Sequence, residues 1–118
     1  SIVACQTAAH FRYAAADGLS VIPKAGVNAI MKGIAKEEGR YGVRANGVAL
    51  GIIEAGQHPE LTKLGFIDEK YMQAAARNTP LRRNGKAIDV AEAVSFLASA
   101  RAGFVSGQVV CVDGGYSI

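Results

Sequence analysis

The sequence predicts an α/β fold, a βαβαβ unit of three parallel strands with helices that forms half of a larger sheet. Three observations predict it. Short apolar or β-branched runs at 1–5, 43–48 and 108–112 have strand length and are bounded by turn residues. Two stretches between them carry apolar residues at helical spacing, and strands that alternate with helices build parallel sheets. Parallel strands are covered on both faces, and two helices are too few to cover three of them, so the sheet is expected to continue beyond this unit.

The first run, SIVAC, reads as a buried strand entered without a preceding turn. Residues 6–18 are mixed and loop-like, with Thr7, His10, Tyr13 and Asp17 just ahead of a helix. A loop at the carboxyl end of a strand is where open α/β sheets bind ligands. His10 is the residue of this loop that titrates near neutral pH, as a ligand-site group or as a solvated side chain.

The central element is the helix expected over roughly 22–38. Val27, Ile30, Met31 and Ile34 recur at helical spacing as one apolar stripe, with Lys32, Lys36, Glu37 and Glu38 mostly on the other side. Pro23 suits its first turn and Gly39 the position after its last. Lys24 then falls in the first turn, where the helix macrodipole disfavours a cation by about 0.3–1 kcal/mol. It is either a solvated lysine or one aimed at a ligand hydroxyl or a catalytic side chain.

The strand at 43–48 closes at Gly51, and 52–80 follows without a steady period, although 59–64 and 68–77 fit short helices. A connection this long is a mobile lid over a site or a surface excursion that only packs. After the turn PLRRNGK, Asp89 caps or charges the start of a helix whose buried stripe is Val90, Ala93, Val94 and Leu97. The β-branched strand at 108–112 ends the unit before Asp113-Gly114-Gly115.

Composition narrows the function classes. With 118 residues, half of them hydrophobic and 19% charged, the chain is of one-domain size and not disordered. No apolar run reaches the ~18 residues of a membrane span, and no basic region precedes the apolar start, so a cytoplasmic protein is expected. Cys5 and Cys111 sit in the apolar runs and are expected as buried free thiols, with no metal site. The net charge of +3 comes from scattered Lys and Arg, which forms no nucleic-acid stripe but suits an anionic ligand weakly.

Three stretches carry a family likeness: PKAGVNAIMKGIAKEEGRYGVRANGVALG, DVAEAVSFLAS and SGQVVCVDGG. In this order and spacing they resemble the C-terminal half of a short-chain dehydrogenase/reductase, over nearly the whole of 1–118. The resemblance implies a doubly wound Rossmann domain that binds NAD or NADP and moves a hydride between a carbonyl and an alcohol. The glycine-rich phosphate turn belongs to the family's N-terminal half, and no G-x-G-x-x-G occurs here. That half is therefore an expected partner, and this chain by itself is expected to be inactive.

By position, Lys24 matches the lysine that bonds the nicotinamide ribose and lowers the pKa of a catalytic tyrosine. The tyrosine expected four residues earlier is Ser20, a far poorer proton donor than a phenol of pKa ~10. The catalytic serine falls near Thr7, which either polarises a carbonyl or caps the loop. Dienoyl-CoA reductases of this superfamily are similar in having lost the tyrosine, and some place one earlier in the loop. Tyr13 is the counterpart here, as a donor or as an aromatic covering the sheet end. The backbone of 51–53, Gly51, Ile52 and Ile53, is implied to meet the nicotinamide amide. Leu50 replaces the family's proline and Ala55 its threonine, which removes a contact to the cofactor phosphates.

Two functions follow. One is an NAD(P)-dependent oxidoreductase acting on a carbonyl, alcohol or enoyl small molecule, with 54–78 as a lid. The other is a catalytically degenerate member that keeps the fold as a nucleotide-binding or assembly module. The apolar strand VVCV, expected at a sheet edge, and the helix over 89–100 suggest a homo-oligomer contact.

Overall fold

A computed structural model describes residues 1–118. Three parallel strands, β1 (Ile2–Thr7), β2 (Ala45–Leu50) and β3 (Val109–Val112), form a sheet of order β1-β2-β3. Cys5 pairs with Val48, Thr7 with Leu50, and Leu50 with Val112, so the three carboxyl ends finish at one level. Helix α1 (Gly18–Glu37) joins β1 to β2, and α2 (His58–Lys63), α3 (Glu69–Asn78) and α4 (Ala87–Ala98) lie between β2 and β3.

The core follows from the position of β2. As the middle strand it has neighbours on both sides, and Ala45, Val48 and Ala49 are fully buried with Met31 of α1 and Leu97 of α4. Asn46 is also buried, and both ends of its amide are satisfied: Nδ2 donates to Val105 O at 2.8 Å and Oδ1 accepts from Gln108 N at 3.1 Å. Arg44 closes the carboxyl end of α4 by donating to Leu97 O (2.8 Å) and Ser99 O (3.0 Å), carbonyls near a helix end that are otherwise short of partners.

Several elements differ from the sequence expectation. The strands expected at 1–5 and 43–48 run instead over Ile2–Thr7 and Ala45–Leu50, because pairing continues through Gln6 with Ala49 and Thr7 with Leu50; Gln6 is 1% exposed, with Nε2 3.9 Å from Met31 Sδ. Helix α1 begins at Gly18, so Pro23 lies inside it. A proline there leaves the carbonyl of Leu19 without its N–H, which is tolerated where that residue stands in water, as Leu19 does. Lys24 accordingly falls in the second turn, beyond the reach of the end-charge cost expected for the first. Glu38 caps the far end, and the left-handed glycine is Gly42 (φ 79°), after a short 3-10 turn, rather than Gly39.

The expected apolar stripe also turns out differently. Helix α1 packs through Val21 and Met31, with Lys24, Asn28 and Ile34 half-buried, while Val27 and Ile30 are 41% and 64% exposed beside Leu19 and Ile22. The helix carries two apolar strips, and spacing alone does not say which one meets the sheet. Cys5 and Cys111 are free but exposed rather than buried, because β1 and β3 are the edge strands.

The start of α4 is built as expected, one turn around Asp89. Its carboxylate accepts from Lys86 N at 2.7 Å and from both arms of Arg83 at 2.7 and 2.9 Å. The Arg83 hydrogen bonds, then the Lys86 N–H, lower its pKa from 3.8 to about 2. Val90, Ala93 and Val94 are half-buried along α4 and Leu97 is buried. No helix is long and apolar enough to cross a membrane.

Candidate active site

A cleft of about 950 Å³ opens at the carboxyl ends of β1 and β2. Its wall is formed by Cys5 and Thr7 of β1, the loop at 14–17, Ser20 and Lys24 of α1, and the segment at 50–53 after β2. Residues from α2 and α3, among them His58 and Tyr71, complete it from the side of 54–78.

Lys24 and Ser20 meet because a spacing of four puts them one above the other on a helix. Lys24 Nζ donates to Ser20 Oγ at 3.0 Å and to Ser20 O at 3.3 Å, and both residues are half-buried. An ammonium has three N–H donors, so one remains for a ligand oxygen in the cleft.

Thr7, at the end of β1, accepts from Ala9 N at 3.2 Å and caps the 3-10 turn that follows. The capping role leaves its O–H free to donate. It lines the same cleft as Ser20 and Lys24.

Gly51 ends β2 where the chain must pass close to β3. A Cβ there would lie 2.8 Å from Asp113 Cα, so only glycine fits, and its N–H donates to Val112 O at 3.1 Å. Beyond it, Gly85 N donates to Ile52 O at 2.9 Å and Glu54 N to Gly85 O at 2.8 Å. Between these two bonds, the N–H and C=O of Ile53 have no partner within the chain, and Ile53 is a residue of the cleft wall.

The structure thus brings together Thr7, Ser20, Lys24, Gly51, Ile52 and Ile53. Tyr13 stands apart: it is 63% exposed, does not line the cleft, and its hydroxyl lies against Gly18, 3.4 Å from where a Cβ would be. His10 is likewise outside the cleft wall, with Nε2 3.3 Å from Val21 O.

Other wall residues were not legible in the sequence. His58 and Tyr71 come from a stretch without a period, so nothing marked them as facing Lys24's cleft. Ala16 adopts φ 63°, a left-handed conformation uncommon outside glycine, and three successive alanines give no sign of it. Tyr116 is held at the cleft by Arg12, whose Nη1 donates to its carbonyl at 2.9 Å and whose guanidinium lies 4.9 Å from its ring centre.

Comparison with known proteins agrees with this architecture. A family model described as enoyl-(acyl carrier protein) reductase matches residues 1–117. The acetoacetyl-CoA reductase of Synechocystis sp. is 43% identical over 94 residues, 79% of this chain and 37% of that protein. A short-chain type dehydrogenase/reductase from Mycobacterium ulcerans superposes with a TM-score of 0.85 at 32% identity, covering 98% of this chain and 40% of that one. The structure of ElxO with NADP bound gives a TM-score of 0.83 at 28% identity, over 98% of this chain and 45% of that one. The chain spans about a third of the length of the curated relatives it matches.

Proposed function

The chain belongs to the short-chain dehydrogenase/reductase family, and from that premise we propose that the intact protein transfers a hydride between NAD or NADP and a carbonyl, alcohol or enoyl substrate in this cleft. The observation that carries the reading is the Lys24–Ser20 pair, 3.0 Å apart, in one cleft with the unpaired amide groups of Ile53. That donor set suits a nicotinamide nucleotide. A carboxamide offers one donor and one acceptor face to the C=O and N–H of Ile53, and the third N–H of Lys24 suits a ribose hydroxyl.

When bound, the nicotinamide supplies or takes up the hydride. The chain's own groups do the rest. Thr7 donates its O–H to the substrate oxygen, Ser20 holds the ammonium of Lys24 in position, and Gly51 lets the end of β2 pass close to Asp113 after β3. The segment at 54–78 closes over the substrate and excludes water. The phosphates of the cofactor fall to a glycine-rich turn in the N-terminal part of the domain, a part these 118 residues do not include. We place the protein in the cytoplasm as a homo-oligomer joined through β3 and α4, since β3 is an edge strand with Val110 and Cys111 exposed.

The test uses the intact protein. NADPH and NADH are titrated by their fluorescence, and oxidation is followed with acetoacetyl-CoA and with a 2-enoyl thioester. Cofactor binding with thioester-dependent oxidation is expected. Binding without turnover on a broad carbonyl and enoyl panel would favour the nucleotide-binding or assembly module, and absence of binding would refute the reading.

A further inference from the structure

We propose that His58 is the proton-transfer residue of this cleft, bonding the substrate's carbonyl oxygen through Nε2. The inference rests on the hydride-transfer reading above and supplies what that reading lacks. Reduction of a carbonyl needs a proton at oxygen, the position expected to hold a phenol is Ser20, and Tyr13 lies outside the cleft. The charged or titratable groups that share the wall with His58 are Cys5, Asp17, Lys24, Tyr71 and Tyr116, and Glu60 and Lys63 pair with each other on its own helix at 2.7 Å. Lys24 gives two of its three N–H groups to Ser20, and Arg12 holds Tyr116 through its carbonyl and ring rather than its hydroxyl. An imidazole is the side chain suited to give and take a proton near neutral pH.

The second observation is the state of the ring. His58 Nε2 is buried and has no hydrogen-bond partner. Buried polar atoms in native proteins are nearly always paired, and His58, a residue of the cleft wall, carries a ring nitrogen that the chain itself leaves without a partner. The backbone is meanwhile anchored: His58 N donates to Ala55 O at 3.3 Å, and Thr62 Oγ1 donates to His58 O at 2.9 Å. Because His58 opens α2, movement of 54–78 carries the ring towards or away from the substrate.

In the reducing direction a hydride from the dihydronicotinamide forms the new C–H bond, and the cofactor leaves oxidised. The carbonyl π pair moves to oxygen, which takes the proton from Nε2–H of the imidazolium. The neutral imidazole regains a proton from solvent. Oxidation of an alcohol runs the same steps backwards.

The test is His58→Gln in the intact protein, a near-isosteric change that keeps a hydrogen-bonding head but cannot titrate. NADPH affinity, read by fluorescence, is expected within twofold of wild type. Turnover with acetoacetyl-CoA should fall on the order of 10²-fold. Independently of turnover, ¹⁵N-histidine spectra of the intact protein with NADP and acetoacetyl-CoA should show one imidazole shifted, assigned to His58 by its absence in the variant. Unchanged turnover with normal NADPH binding would overturn the role of His58 and leave the hydride-transfer reading standing. An imidazole that does not respond to the two ligands overturns it as well. Failure of the wild-type protein to bind NADPH removes both together.

Discussion

Lys24→Met in the intact protein separates a ligand-binding lysine from one that only packs. Methionine keeps the aliphatic stem of this half-buried side chain and removes the ammonium that donates to Ser20 Oγ at 3.0 Å and Ser20 O at 3.3 Å. A hydrogen bond to a charged group contributes ~1.5–3 kcal/mol when buried. Lys24 is partly solvated and both acceptors can turn to water, so the loss of stability is expected to be about 1 kcal/mol. No gain at the helix end offsets it, because Lys24 stands in the second turn of α1. If its third N–H bonds a ribose hydroxyl, losing that charge-assisted bond at ~1.5–3 kcal/mol weakens cofactor binding about 10- to 150-fold. Turnover should drop on the order of 10²-fold. Denaturant unfolding, NADPH fluorescence titration and steady-state oxidation measure the three quantities. Cofactor affinity and turnover that survive the substitution would refute the role of Lys24. A stability loss beyond about 3 kcal/mol would make the residue a structural one.

Three further outcomes are expected. Asp89 has a folded-state pKa of about 2, below the ~3.9 of an unfolded carboxyl, so its contribution to stability is complete above pH ~4 and is lost as the pH falls towards 2. Unfolding midpoints of wild type and Asp89→Asn should converge over that window, and parallel curves would contradict the assignment. Asn84 Nδ2 donates to Glu54 Oε1 at 3.2 Å and Met72 O at 3.1 Å, tying the start of the segment at 54–78 and its helix α3 to one turn. Asn84→Ala should speed amide exchange in α3 about 5- to 30-fold, as removal of ~1–2 kcal/mol of restraint requires, and unchanged exchange would show that the tie is idle. Tyr13→Phe should leave turnover within about twofold, as for an exposed side chain away from the cleft, whereas Ser20→Ala should lower it about tenfold or more by releasing Lys24. The opposite ranking would put the phenol of Tyr13 at the substrate.

What the sequence determined by itself was local. Apolar runs of strand length alternating with helical spacing suffice for three parallel strands and the helices between them, and the short helices in 54–78 and the Asp89 start of α4 follow from the same local rules. Lys24 over Ser20 is local too, since a four-residue spacing on any helix brings two side chains together. The tertiary structure decided everything that depends on what lies across a gap. Both strips of α1 are apolar, and only docking on the sheet shows that Val21 and Met31 go inwards while Val27 and Ile30 remain in solvent. Cys5 and Cys111 have the neighbours of buried residues, but their strands lie at the edges of the sheet that these 118 residues form. Tyr13 lies outside the cleft wall and His58 belongs to it, and neither placement leaves a mark in the pattern. The physical reason is that periodicity records which residues share a face, whereas contacts such as Asn84 with Glu54, thirty positions apart, are set by how separate faces meet.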